Sequence, residues 1–124
     1  MDIATLERIA VSALEDIKAR DIEIIDTTRL TAQFERIIVA SAESGRQTRA
    51  LARNVQDRVR AAGGGVLGIE GEDSGEWVLV DLGEIVVHVM QPAIRSLYRL
   101  EELWTATPAS RRSAAEVMAH AGTV

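Results

Sequence analysis

A chain of 124 residues is long enough for one domain with a real hydrophobic core and too short for two. Its 47% apolar and 27% charged residues are those of an ordinary soluble globular protein, and the absence of cysteine excludes disulfides, thiolate metal sites and a cysteine nucleophile. A net charge of −5 argues against a protein held to nucleic acid by its overall field, and no apolar run approaches the roughly 20 residues of a bilayer-spanning helix.

The N-terminal stretch MDIATLERIA carries Asp2 and Glu7 where a secretory signal would carry lysines, so a cytoplasmic location is expected. Ile3, Leu6, Ile9, Ala10, Ala13, Leu14 and Ile17 recur at helical spacing and predict an amphipathic helix over 2–19, with Asp2 as its N-cap. IEIID (22–26) is short and β-branched and reads as a strand. RIIVAS (36–41) is nearly continuous in apolar character, which predicts a central strand. Leu51, Ala52, Val55, Val59 and Ala62 return to a helical period, capped by Ser44 and stopped at Gly63.

VLGIE (66–70), WVLVDL (77–82) and IVVHVM (85–90) read as three further strands, the last two joined as a hairpin around Gly83. Pro92 opens a short helix through Tyr98 that continues into LEELW. The strand, helix and strand of 36–70 form a βαβ unit with an expected right-handed crossover. The fold class is therefore α/β, a single domain with a mixed β-sheet flanked by helices. Residues 1–104 make up the domain, and the small, polar residues 105–124 are expected to be a loosely held tail.

Little of this sequence looks catalytic. Gly63, Gly65 and Gly68 match the spacing of a dinucleotide-binding loop, but they follow a helix and enter a strand, which puts the N–H dipoles in the wrong place. No G-x-S-x-G or H-x-x-x-H pattern occurs. Asp81, Glu84 and His88 invite a metal or acid–base reading. With Leu82 and Gly83 as the hairpin loop, Asp81 faces Glu84 and Trp77 faces His88, which separates acids from imidazole by about 13 Å along the ladder. One metal ion does not bridge that gap. The same geometry predicts a partner-facing hairpin that displays Trp77, Leu79 and His88, rimmed by Asp81 and Glu84. The rival reading turns Trp77 inward as core.

Charge is unevenly spread. Residues 46–60 hold Arg46, Arg49, Arg53, Arg58 and Arg60 against Asp57 alone, whereas residues 70–84 hold six acids and no base. Such polarity favours oriented docking on a partner. Arg46, Arg49, Arg53 and Arg60 lie near one helix face, either a solvated surface or a phosphate-binding ridge, the latter pointing to an RNA-binding module as an alternative function.

Three runs carry a resemblance: ALEDIKARDIEIID, IIVASAESGRQTRALA, and GEWVLVDLGEIVVHVMQPAIRSLYRLEELW. Together they resemble the ribosomal silencing factor family, also called Iojap or RsfS, over about residues 3–104. The most specific piece is W-V-L-x-D-x-G-x-x-V-V-H-V followed by R-x-x-Y-x-L-E-x-L-W, matched from Trp77 to Trp104. The resemblance implies a non-enzymatic translation repressor. It would bind the large ribosomal subunit on the ribosomal protein conventionally numbered fourteen, obstruct the small subunit, and reduce translation under nutrient limitation. It also implies a nucleotidyltransferase-like fold without the paired catalytic aspartates, which agrees with the lack of D-x-D here, and it implies no cofactor, no metal, no membrane and no DNA. Family members can pair as homodimers.

The docking edge expected from hairpin geometry and these motif positions comprises Trp77, Leu79, Asp81, Leu82, Glu84 and His88, with Arg95 and Tyr98 beside it. The chain departs from the family pattern at several places. Arg36 and Ile37 stand where Tyr and Phe are usual, Ala42-Glu43-Ser44 replaces G-N-S, and Leu82, Glu84 and Met90 replace Tyr, Asp and Phe.

Overall fold

The central strands are apolar along their whole length because both faces of their sheet are covered. In the computed structural model, which describes residues 1–98, five strands form one mixed sheet. They are β1 (Arg20–Asp26), β2 (Arg36–Ser41), β3 (Gly68–Glu70), β4 (Trp77–Asp81) and β5 (Ile85–Met90), in the order β1-β2-β5-β4-β3. Three helices accompany them: α1 (Ile3–Asp16), α2 (Gly45–Ala61) and α3 (Pro92–Leu97). The single α/β domain expected from the sequence is present. The expectations for LEELW and for the tail 105–124 lie outside the described residues.

One topological expectation changes. β2 and β3 flank α2, but they are not neighbours: β2 pairs in parallel with β5, and β4 lies between β5 and β3. The hairpin is thus inserted into the βαβ unit. The insertion explains why IVVHVM has no polar face, since a strand paired on both edges in mid-sheet is enclosed on all sides. β1 runs antiparallel to β2 at one edge, with a register shift between Arg20 and Glu23.

On one face, Leu6, Ala10, Ala13 and Leu14 of α1 and Leu51, Ala52, Val55 and Val59 of α2 bury against Ile38, Ala40, Val78, Val80, Val87 and Val89. Period 3.6 meets period 2 here, and the removal of this area from water is the main force for folding. On the other face, Ile37, Val39, Trp77, Leu79, Val86 and Met90 form a second cluster with Phe34 and Ile94.

Polar side chains at the helix ends fix how the layers meet. Asp2 caps α1 by accepting from the Thr5 N–H at 2.7 Å, and that hydrogen bond, foremost among the causes, holds the carboxyl below its ordinary value. Ser44 caps α2 through the Gln47 N–H. Gln47 accepts from the Glu43 N–H and donates to the carbonyls of Ile17 and Lys18, so a single amide ties the start of α2 to the end of α1. Farther along, Asn54 donates to the Ala13 carbonyl, and Arg58 reaches Asp16 and Ser12. α2 ends at Ala61, and Gly63, at φ +90, turns the chain away just beyond it, with the Gly63 N–H on the Arg60 carbonyl and the Gly64 N–H on the Val59 carbonyl.

Candidate partner-binding site

Glycine placement sets the hairpin register. Gly83 has φ +90, and Glu84 is not among the residues with positive φ. A two-residue turn with glycine at its first central position is the II′ geometry, whose twist suits the flanking strands. The loop is therefore Gly83-Glu84, closed by the Leu82 N–H on the Ile85 carbonyl at 2.9 Å. The expected Leu82-Gly83 loop is corrected, because it would force Leu82 into the position that needs positive φ. Trp77 pairs with Met90, Leu79 with His88, and Asp81 with Val86.

The shift keeps the facing set and changes its pairing. Trp77 and His88 become diagonal neighbours, and the Trp77 Nε1–H donates to His88 Nδ1 at 2.9 Å. Their ring centroids are 5.8 Å apart, and Tyr98 lies 5.1 Å from Trp77 on a tilted ring. Sequence reasoning brought these three together correctly. The expectation of an exposed face for Trp77, Leu79 and His88 is corrected, however. Trp77, Leu79 and His88 are 3%, 1% and 0% exposed, and Leu82 is 7% exposed, so in this fold they present almost no area to a partner. Interior strands with both faces covered leave no outward side for alternate residues to occupy.

Arg95 is likewise engaged within the chain. Its guanidinium donates to the Asp21 carbonyl, to Ser41 Oγ and to Glu23, clamping α3 across β1 and β2. Asp81 is half-buried, and its Oδ1 accepts from the Gly83 N–H at 2.9 Å, which braces the turn. Of the eight residues expected at the docking edge, only Glu84 is exposed.

The structure adds residues that periodicity did not reveal. Leu67 is 73% exposed and packs beside Gly83, while Met1 and Leu30 are exposed at 53% and 46%. The Glu84 carbonyl accepts from the Glu35 and Arg36 N–H groups, joining the loop 27–35 to the same end of the sheet. The hairpin tip thus offers an acid, Glu84, beside an exposed leucine on a braced turn. Leu67 falls in VLGIE, which reads as a strand from 66, whereas β3 begins only at Gly68, and nothing in a linear pattern ties Leu67 to residue 83. Among the described residues, no group of three or more His, Asp or Glu side chains is placed to hold a metal ion, and no helix is long and apolar enough to cross a membrane. The tip has the chemistry of a contact surface.

Comparison with known proteins gives that surface a context. The family profile described as "Ribosomal silencing factor during starvation" matches residues 1–122. A ribosomal silencing factor RsfS from Chromobacterium violaceum is 52% identical over 104 residues, covering 84% of this chain and 85% of that protein. Its counterpart in Bacillus subtilis is 36% identical over 108 residues, covering 87% and 92%. A crystal structure of a Chromobacterium violaceum protein superposes with a TM-score of 0.81 at 50% identity, covering 86% of this chain and 89% of that one. Both named relatives are ribosomal silencing factors, and the match extends over nearly the whole sequence: the chain belongs to the ribosomal silencing factor (RsfS) family, a family of non-enzymatic translation regulators.

Proposed function

We propose that this protein binds the large ribosomal subunit in the cytoplasm, on the ribosomal protein conventionally numbered fourteen, and silences translation by blocking approach of the small subunit. The observation that carries this reading is the family match over residues 1–122, supported by 52% identity to a ribosomal silencing factor. The mechanism is steric. An interface of about 1,600 Å² in total suffices for specific docking, and a folded domain seated at a close-fitting joint then keeps the two subunits apart. Pairing of two free copies, and a nucleotidyltransferase-like descent of the fold, belong to the same reading.

The docking surface in this proposal is the hairpin tip, with Glu84 and Asp81 at the rim and Leu67 as its apolar element. Leu82 lies beneath it, Leu79 and His88 sit midway along the ladder, and Trp77, Tyr98 and Arg95 stand at the opposite end of the sheet. Purified protein is expected to cosediment with isolated large subunits, but not small ones, and to lower the yield of joined ribosomes. Failure to sediment with large subunits would remove the proposed function.

Glu84→Lys combined with Leu67→Ser is the cleaner test of the surface, since both side chains are exposed and Asp81 is occupied in the turn. The double variant is expected to bind about tenfold more weakly, the loss of a modest interface contact, with its melting temperature unchanged. Binding at full strength would move the docking surface elsewhere on the protein.

A further inference from the structure

The five arginines of residues 46–60 divide into two groups once folded. Arg49 donates through Nε to the Glu72 carbonyl at 2.7 Å and through Nη2 to the Asp73 carbonyl at 3.0 Å, pinning the turn that precedes β4. Arg58 turns to α1. Arg46, Arg53 and Arg60 remain exposed, and none of them has an ion pair or side-chain hydrogen bond among the described residues.

Their spacing is seven and seven. Two helical turns advance about 10 Å and drift by only about 20°, so the three guanidinium groups form a nearly straight row down the outside of α2. Asp57, between Arg53 and Arg60, is the only acid of α2, while Glu72 and Asp73 flank the helix at Arg49 and Asp16 flanks it at Arg58. Around them the outer surface of α2 carries Ala50, Gln56 and Ala61 and no large apolar side chain. The exposed large hydrophobics are Met1, Ile24, Leu30, Leu67 and Leu97, all on other elements.

We infer that this row is a contact for an RNA phosphate backbone, which orients the protein on the large subunit while the hairpin tip supplies the protein contact; the inference rests on the proposed ribosomal function. Charge without apolar area selects this occupant. A protein partner needs a desolvated core flanked by polar groups, whereas phosphate oxygens are bound by arginines alone and carry no demand for buried apolar surface. The overall charge of −5 keeps the contact local, so the protein does not coat RNA at random. Position favours joint engagement, because α2 ends at Ala61 and the chain then runs through 62–66 to Leu67 at the tip.

The test compares the full chain with the triple variant Arg46→Gln/Arg53→Gln/Arg60→Gln and with the corresponding triple Arg→Lys variant. Each is assayed for cosedimentation with large subunits between about 50 and 200 mM salt, and for binding to a fluorescent RNA hairpin alone. Glutamine preserves helix propensity, and melting curves confirm that α2 is intact. Three neutralised phosphates contribute a slope of about −2 to −3 in log affinity against log salt, so wild-type affinity is expected to fall about 15–60-fold further than that of the glutamine variant across that range. The lysine variant is expected to recover the salt dependence.

Equal slopes for wild type and glutamine variant would overturn the inference. So would a variant that loses subunit binding when the wild type itself shows no affinity for the hairpin, since that outcome assigns the row to an acidic protein. If the wild type fails to sediment with large subunits, the functional proposal falls and the hairpin arm still decides the row: arginine-dependent binding sustains it, and no binding overturns it.

Discussion

Replacing Trp77 with alanine is expected to destabilise the protein by about 3–5 kcal/mol, read as a lower urea midpoint with little change in slope. The indole is 3% exposed, lies against both His88 and Tyr98, and belongs to the cluster that closes the second sheet face. Its removal leaves a cavity between β4, β5 and the end of α3, and strands in mid-sheet do not collapse readily to fill one. A single-domain protein has about 5–15 kcal/mol in total, so the variant will unfold near physiological temperature. Trp77→Phe separates packing from polarity. It keeps a ring in place but removes the donor to His88 Nδ1, with an expected cost of about 1–3 kcal/mol. A Trp77→Ala protein as stable as wild type would show that the cluster is not part of the core.

The second large effect is expected at Gly75. This residue has φ +71, and a Cβ placed there meets the Gly45 Cα at 2.8 Å and the Arg49 guanidinium at 3.1 Å. The nearest obstacle is backbone, which cannot swing aside as a side-chain tip does. The buried Thr48 hydroxyl also reaches the Gly75 carbonyl at 2.5 Å, so the turn is held against α2 from two sides. Gly75→Ala is expected to cost about 1–2 kcal/mol for the left-handed backbone and about 1–3 more for the contact, measured by denaturant unfolding. Gly45→Ala is the matched control. Its Cβ finds neighbours at 3.5 Å or beyond, an ordinary separation, so a change within about 0.5 kcal/mol is expected. Equal effects at the two positions would refute the packing argument.

Much of the fold can be read in the linear sequence because its signals are local. The caps at Asp2 and Ser44, the stop at Gly63 and the period of Leu51, Ala52, Val55 and Val59 each lie within one or two helical turns. Strand order is not local. Nothing in 36–70 states that residues 77–90 will be inserted between its two strands. The hairpin register was in fact legible, since Gly83 is the only residue of the turn that tolerates positive φ without strain, and placing it first gives the observed pairing.

The candidate site is harder to read for a different reason. An apolar strand with a single histidine looks amphipathic or central depending on what lies beyond its edges, and that depends on topology. The Trp77 indole N–H is taken up by His88 Nδ1 inside the protein, so polarity alone does not mark an exposed surface. Arg49, Arg58 and Arg95 make the same point: a cation in the sequence becomes a surface charge or an internal clamp according to which carbonyls and carboxylates the fold brings near.

The broken register of β1 matters for the behaviour of the protein at high concentration. Between Arg20 and Glu23 the ladder to β2 slips, Asp21 takes a positive φ, and its carbonyl is occupied by Arg95. A strand arriving from a second molecule therefore meets an interrupted template lined by Arg20, Asp21, Glu23 and Asp26. The opposite edge, β3, is only three residues long. Runaway edge-to-edge polymerisation is therefore disfavoured at both margins.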